Sequence, residues 1–321
     1  MDVSVIIVNY HSADLVADCV RSVFDKTEGV SFEVLVVDNA SGDDSVGRLR
    51  AEFADRIRLI EAEENLGFGK ANNLGVTEAR GEYLFLLNPD TVLRNDAISI
   101  LHQFLSSHPD VGVAGGNLFT SDGGPNGSYC ETFDSLEAER RNAGMLHLIR
   151  EKFRQKLRRA DAAMPGFNVT GKPKDVAYIY GADMMLSKAL FDEMRGFDPD
   201  FFMYYEEQEL QWRVAQTGRR IVSVPDAEIV HLDGATTNPN HEFNELQFKM
   251  RMTGAMTYYD KRYGSGGAKR FYKLRSKRFR NLLSLARVQG KEISNSAASR
   301  QSMLLEEAFC DYTKEHGVKN G

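Results

Sequence analysis

The sequence is short of the features that would mark it for a membrane, a secretory route or a nucleic acid. Its 321 residues contain no apolar run long enough to span a bilayer. The first apolar run, Val3 to Val8, is too brief for a signal-peptide core and follows the acidic Asp2, so the expected location is the cytoplasm. Cysteine is scarce. Cys19, Cys130 and Cys310 are far apart and odd in number, which gives neither a disulfide framework nor metal-ligand spacing and suits a reducing compartment. With 40 Lys and Arg against 46 Asp and Glu, the net charge is −6, which argues against a dedicated nucleic-acid binder. Two phosphate-binding loops are also missing. Gly67-Phe68-Gly69 lacks the third glycine of a dinucleotide fingerprint, has Asn72 in its place, and follows the third strand rather than the first. Gly42 to Gly47 has P-loop spacing, but Arg48 stands where the lysine belongs.

What is present is an alternation of buried strands and amphipathic helices. Val3 to Val8 predicts a first strand ending in Asn9-Tyr10, and Glu33 to Val37 a second ending in Asp38-Asn39. Ile57 to Ile60 predicts a short third strand, followed by Asn65-Leu66-Gly67-Phe68-Gly69 and a helix from Lys70 to Ala79. Tyr83 to Leu87 is a fourth strand that stops at Asn88-Pro89-Asp90, and Val111 to Gly115 a fifth. This spacing predicts an α/β fold with a mostly parallel sheet and helices on both faces. In such a sheet the C-terminal strand ends share one edge, where ligands bind. Asn9-Tyr10, Asp38-Asn39 and Asn88-Pro89-Asp90 would converge there. Asp90 is a hard oxygen ligand suited to Mg²⁺ or Mn²⁺ bridging phosphates, and Asp38 suits a hydrogen bond to a base or ribose. The competing readings are a turn at Asn88-Pro89-Asp90 and a helix N-cap at Asp38.

The second half is less regular. Residues 120–173 read as an insertion, with a helix from Ser135 to Arg159 that suits either a lid over an active site or a solvated surface helix. Val176 to Tyr180 predicts a strand ending in Gly181-Ala182-Asp183, and Ser187 caps a short helix. Then Glu206, Glu207 and Glu209 open a helix next to Phe201, Phe202, Tyr205 and the single tryptophan, Trp212. A carboxylate walled by Phe201, Phe202 and Tyr205 would be partly desolvated, as a general base requires. An acidic first turn is also ordinary helix chemistry. Arg220 to Val224 and Glu228 to Val230 predict two late strands, the second ending at His231, which suits either a metal ligand or a hydrogen-bonded core position.

Taken in order, Val5-Ile6-Ile7-Val8-Asn9-Tyr10, Val36-Val37-Asp38-Asn39-Ala40-Ser41, Asn65-Leu66-Gly67-Phe68-Gly69 with Asn72-Asn73, Leu86-Leu87-Asn88-Pro89-Asp90, Gly181-Ala182-Asp183 and Phe202 through Arg213 resemble the family 2 inverting glycosyltransferases of GT-A fold, in particular their bacterial rhamnosyltransferase-like branch. The resemblance runs from about Val3 to His231. It implies a GT-A domain over 1–239, a nucleotide-sugar donor, a divalent metal (Mg²⁺ or Mn²⁺) and a single displacement at the anomeric carbon. It implies that Val8, Asn9, Tyr10, Asp38, Asn65, Gly67, Asn72, Asn73, Asn88 and Asp90 bind the nucleotide sugar. It further implies that Asp183, Trp212 and Arg213 face sugar or acceptor, that Asp90 and His231 hold the metal, and that Glu207 is the base. The family pair is usually Glu-Asp, whereas here it is Glu206-Glu207. The longer side chain moves the carboxylate outward by roughly 1.5 Å, which keeps Glu206 and Glu209 in play as bases. dTDP-rhamnose is the implied donor, with UDP-hexoses or UDP-N-acetylhexosamines as the alternative. The implied acceptor is a cell-surface polysaccharide or lipid-linked glycan. The rival readings are a non-catalytic nucleotide- or glycan-binding protein of the same fold and a sugar-phosphate nucleotidyltransferase. The latter would want a glycine-rich, basic loop where Asn9-Tyr10-His11-Ser12 stands.

Residues 240–321 read as a basic, mostly helical extension. From Lys261 to Lys291 there are eleven Lys or Arg and no Asp or Glu, interleaved with aromatic and aliphatic residues. On a helix this suits an anionic membrane surface, and it also suits a homo-oligomer interface or a helix capping the core. The tail predicts one more helix near Met303 to Tyr312.

Overall fold

A computed structural model describes residues 1–157, 164–232, 243–288 and 297–317. The expected domain boundary at 239/240, residues 158–163 of the insertion and residues 289–291 of the basic stretch lie outside the described residues. Along the chain the elements are β1 (Val3–Asn9), α1 (Ala13–Lys26), β2 (Phe32–Asp38), α2 (Ser45–Phe53), β3 (Arg58–Glu61), α3 (Gly67–Glu78), β4 (Tyr83–Leu87), β5 (Thr91–Leu93), α4 (Ala97–Ser107), β6 (Val111–Phe119) and β7 (Tyr129–Cys130). They continue with α5 (Leu136–Asn142), α6 (Met145–Leu157), β8 (Lys174–Asp175), β9 (Tyr178–Ile179), β10 (Asp183–Ser187), α7 (Lys188–Glu193), α8 (Glu206–Gln216) and β11 (Arg220–His231). Three helices close the chain: α9 (Glu245–Tyr263), α10 (Gly267–Val288) and α11 (Ala297–Glu315).

The chain forms two units. The first comprises, among the described residues, 1–133, 164–202 and 206–232. Its main sheet runs β3-β2-β1-β4-β10-β6-β11-β5, with β8 beside β11. The first four strands are mutually parallel, in register from Asn9↔Asp38 on one side of β1 to Ile7↔Leu87 on the other. They form because Ile6, Ile7, Leu35, Val36, Leu84 and Phe85 are all fully buried, on a sheet covered on both faces. Helix α1 packs Val16, Cys19, Val20 and Val23 into one core, and α3 contributes Ala71 and Val76 to the other.

β10 interrupts the parallel order. It runs antiparallel to both β4 and β6, with Asp183 opposite Leu87. The predicted strand over 176–180 is reduced to β9, which pairs with β7 in a separate two-stranded sheet, and the buried strand begins at Asp183 instead of ending there. An antiparallel strand starts at the edge where its parallel neighbours finish, so Asp183 still reaches the ligand edge. The two expected late strands are one, β11, with a register shift between Ser223 and Glu228. No sequence pattern predicts the short β5. It pairs antiparallel to β11 and sets His231 opposite Thr91, next to Asp90. Helix α3 begins at Gly67, three residues before the expected start.

The second unit comprises 134–157, 203–205, 243–288 and 297–317 among the described residues. The single helix expected over 135–159 is two, α5 and α6, separated at Ala143-Gly144. Its core is aromatic. Tyr259 stacks on Phe271 at 4.7 Å, and Tyr272 on Phe309 at 4.0 Å. The tail helix, Ala297–Glu315, is longer than expected, and it buries Leu304, Leu305, Ala308, Phe309 and Tyr312.

Candidate active site

The ends of β1 and β2 are tied together by side chains. Asn9 Nδ2 donates to Asp38 Oδ1 (2.7 Å) and Ser41 Oγ (3.2 Å), while Asn9 Oδ1 accepts from the Ser12 N–H and Oγ (3.2 and 3.0 Å). Asp38 also accepts from Ser41 Oγ (2.7 Å) and the Ser41 N–H (3.1 Å). The following helix starts at Ser45, so Asp38 is not its cap. Every polar side-chain atom of the buried Asn9 is used in holding this corner, which makes it a brace for Asp38. Tyr10, next along, is exposed, with its ring edge-on to His11. Val8 is buried just before it. His11 and Ala40 have φ of 53° and 59°, so both strand ends turn sharply through left-handed residues, a conformation that clusters at ligand sites.

Asn39 carries the next link. Its Oδ1 accepts from the Leu66 N–H (2.8 Å), and its Nδ2 donates to Asn65 Oδ1 (3.0 Å) and Gly67 O (3.2 Å). Asn65 Oδ1 also accepts from the Gly67 N–H (2.9 Å). The loop that opens α3 is thereby strapped to the end of β2. Gly67 has φ of 77°, and a Cβ on it would lie 2.0 Å from the Phe202 carbonyl oxygen. That carbonyl accepts from the Phe68 N–H at 3.0 Å. No side chain fits there, so Gly67→Ala is expected to cost about 2 kcal/mol or more and to lower Tm by roughly 5 °C or more in a thermal melt. Two asparagines expected at the nucleotide are occupied elsewhere. Asn72 is buried and donates to Phe68 O (3.0 Å). Asn73 donates to Phe197 O (2.8 Å) and accepts from the Phe197 N–H (2.9 Å), clamping the turn before α8.

At the end of β4, the Asn88 N–H donates to Ala182 O (2.9 Å), joining Asn88 to the residues before β10. Asp90 is buried, and its Oδ1 has no hydrogen-bond partner among the described residues. His231 Nε2 lies 3.4 Å from that oxygen. A buried carboxylate oxygen lacking a hydrogen bond, with an imidazole beside it, fits a divalent cation. No group of three or more His, Cys, Asp or Glu gathers among the described residues. The pair would therefore leave most of the shell to diphosphate oxygens and water, as is usual for Mg²⁺ and Mn²⁺.

Asp183 is fully buried; its Oδ2 accepts from the Gly116 N–H (2.5 Å) and its Oδ1 has no partner among the described residues. Burial holds its carboxyl well above the ordinary value of 3.8, against the lowering effect of the Gly116 N–H. A carboxyl raised in this way binds its proton more tightly folded than unfolded. Its stabilising contribution is complete below the ordinary value and is lost as pH rises through the raised one. Asp183→Asn, which cannot ionise, is expected to flatten the fall in unfolding free energy above about pH 4, read by urea titration across that range.

The three carboxylates of α8 separate clearly. Glu209 is buried and accepts from Arg213 Nε and Nη2 (2.8 and 2.7 Å). Glu206 is buried, with its Cβ close to Gly69 near Phe197. Glu207 is half-buried. A Cβ built on Gly181 would lie 3.5 Å from Glu207 Cβ and 3.7 Å from Phe68 Cε1. Glu207 thus packs against the Gly181-Ala182-Asp183 segment that also holds Asn88. Phe201 is buried, Phe202 is exposed, and Tyr205 belongs to the second unit, where its hydroxyl donates to Asp134. Arg213 spends its guanidinium on Glu209 and on the Met194 and Gly196 carbonyls, and Trp212 is half-buried. Sequence reasoning missed Gln211, which exchanges hydrogen bonds with both backbone groups of Ile179 (2.8 Å each) and donates to Glu207 O (3.1 Å). Its position four residues after Glu207, on the same helix face, was the available signal.

Residues 4–168 match the family model described as Glycosyl transferase family 2. The chain belongs to that family. Its GT-A fold and its class as a glycosyltransferase go with that membership. A relative is the low-salt glycan biosynthesis hexosyltransferase Agl10 of Haloferax volcanii, 27% identical over 72% of this chain and 67% of that protein. Another is the N-acetylglucosaminyl-diphospho-decaprenol L-rhamnosyltransferase of Mycobacterium tuberculosis, 25% identical over 62% of this chain and 66% of its own. The chain spans less than half the length of some other curated relatives that it matches. Among solved structures, the mannosyltransferase PcManGT of Pyrobaculum calidifontis, solved with GDP-Man and Mn²⁺, superposes with a TM-score of 0.57 at 16% identity, covering 98% of this chain and 83% of that one. The family match ends at residue 168, before Asp183, Glu206, Glu207 and His231.

Proposed function

We propose that this family 2 member is a metal-dependent inverting glycosyltransferase that moves a sugar from a nucleoside diphosphate to a hydroxyl of a cell-surface polysaccharide or lipid-linked glycan. The observation that carries the reading is the meeting, around the Asn88–Ala182 hydrogen bond, of a buried Asp90–His231 pair and a half-buried Glu207. L-Rhamnose from dTDP-rhamnose is the proposed donor sugar, supported by the motif pattern and by the activity for which the mycobacterial relative is named. UDP-hexoses and UDP-N-acetylhexosamines are the alternative.

The chain's own residues divide the work. Asp38, braced by Asn9 and Ser41, takes the base or ribose, and Tyr10 offers an exposed ring for stacking. Asn65, Gly67 and Asn88 border the diphosphate. Asp90 and His231 would hold a divalent cation, which supplies charge stabilisation to the departing diphosphate. Glu207 accepts the proton of the acceptor hydroxyl, and Asp183 lies on the sugar side. With one carboxylate on the acceptor side and no covalent intermediate, the anomeric configuration inverts. Glu209 is set aside as base because Arg213 already occupies both its oxygens.

The test is a panel of nucleotide sugars scored by thermal stabilisation with and without Mn²⁺. One donor is expected to raise Tm only when Mn²⁺ is present. A panel in which no nucleotide sugar shifts melting would overturn the reading.

A further inference from the structure

Gln211 is fully buried on α8, one turn after Glu207. Its amide meets a strand edge. Around β9 the N–H groups of Ala177 and Tyr180 donate to Cys130 O (2.9 Å) and Ser128 O (3.0 Å), whereas the N–H and C=O of Ile179, between them, turn to Gln211. Gln211 Oε1 accepts from that N–H, and Nε2 donates to that carbonyl, each at 2.8 Å. Nε2 also donates to Glu207 O at 3.1 Å. Both amide hydrogens are therefore committed. One side chain satisfies both backbone groups of a fully buried residue and ties them to the carbonyl of Glu207.

The segment that Gln211 grips runs straight into the site. Two residues after Ile179 comes Gly181, where a Cβ would lie 3.5 Å from Glu207 Cβ and 3.6 Å from its Cγ. Next is Ala182, whose carbonyl accepts from the Asn88 N–H, and then Asp183 with its buried carboxyl. Gly181 has no side chain that could lock Glu207 in register against this segment. Gln211 follows Glu207 by four residues and so shares its face of α8. The other clamp on this helix, Glu209 with Arg213, reaches the Met194 and Gly196 carbonyls instead.

We propose that Gln211 is the positioning residue for the base. It fixes where Glu207 stands against the Ile179–Asp183 segment, and so sets the distance from the proton acceptor to the leaving-group side. This deepens the glycosyltransferase reading and rests on it. A general base works only within about 2.6–3.2 Å of the hydroxyl it deprotonates. A helix advances about 1.5 Å per residue, so a slip of less than one residue along α8 takes Glu207 out of that range. A misplacement of about 1 Å costs roughly a hundredfold in rate. Gln211 touches neither donor nor metal ligands, so its loss should leave donor binding alone.

The experiment is a double-mutant cycle on the full chain, read by steady-state kinetics. Gln211→Met keeps the length of the side chain and forms none of the three hydrogen bonds. In the parent it is expected to lower kcat by about ten- to a hundredfold, with donor KM and the Mn²⁺-dependent donor shift near parent values. Placed on Glu207→Gln, the same substitution is expected to change kcat by less than about twofold, because no base is left to position. Gln211→Asn keeps an amide but falls short by roughly 1.5 Å. It should behave like Gln211→Met, and it carries the comparison if that variant does not fold. An equal loss of kcat on both backgrounds would make Gln211 merely structural and overturn the proposal, as would parent-like kcat in Gln211→Met and Gln211→Asn. A parent that transfers no sugar would overturn the glycosyltransferase reading itself, whereas an active parent with unaffected Gln211 variants would overturn only this assignment.

Discussion

Glu207→Gln is expected to lower sugar transfer by roughly 10²–10⁴-fold while leaving Mn²⁺-dependent donor binding near that of the parent. An amide keeps the size and packing against Gly181 but cannot take a proton from a hydroxyl. The loss should appear in kcat, since the base acts only as the acceptor attacks. The neighbouring carboxylates make the contrast sharp. Glu209→Gln weakens the clamp on Arg213, and therefore the Met194 and Gly196 carbonyls it holds, so its main expected effect is a lower Tm. Glu206 is buried near Gly69 and Phe197, so Glu206→Gln removes a buried carboxylate from the packing of α8 and α3. Steady-state kinetics and thermal melts on the three variants separate proton transfer from scaffolding. Parent-like kcat in Glu207→Gln would remove Glu207 from the role of base.

The second large effect is expected at Asp90. Asp90→Asn preserves the side-chain volume in a buried position but removes the charge. The several kcal/mol that a cation contributes to a departing diphosphate correspond to roughly a hundredfold or more in rate. Donor-induced stabilisation should become insensitive to Mn²⁺ in this variant. His231→Ala should act in the same direction and less strongly, because a neutral imidazole adds a ligand but no charge. If Asp90→Asn keeps a Mn²⁺-dependent shift of parent size, the cation is held elsewhere.

The parallel half of the sheet was legible because its strands are buried on both faces and therefore read as unbroken apolar runs that stop at polar residues. β1, β2 and β4 each end where Asn9, Asp38 and Leu87 predicted. β10 was not legible in the same way. It enters the sheet at the ligand edge, so its polar residue comes first, and a rule that seeks polar residues after strands places the strand too early. β5 has three residues and carries no periodicity of its own; its position depends on pairing with β11. That pairing, between segments far apart in sequence, is what sets His231 beside Asp90.

Side-chain commitments were harder to read than elements. Asn73 and Arg213 have the chemistry of ligand contacts, and the structure employs both to fix the turn around Phe197 and Gly196. Arg213 follows Glu209 by four residues, an intrahelical spacing that favours such a pair. Asn39 and Gln211 carry comparable bracing and gave no signal beyond their nearness to Asp38 and Glu207. On α10 the cations alternate between inward and outward positions, and the inward partners Glu139 and Glu151 lie more than a hundred residues earlier. Composition alone treats all of them alike.

The most direct test of the account is the configuration of the sugar first released when water replaces the acceptor. The donor identified by thermal shift, held with enzyme and Mn²⁺, would be followed by proton NMR before mutarotation scrambles the anomers. A single displacement assisted by Glu207 predicts the anomer opposite to that of the donor. Release of the donor's own anomer would contradict it, because retention requires a covalent intermediate or a second displacement that this arrangement does not provide.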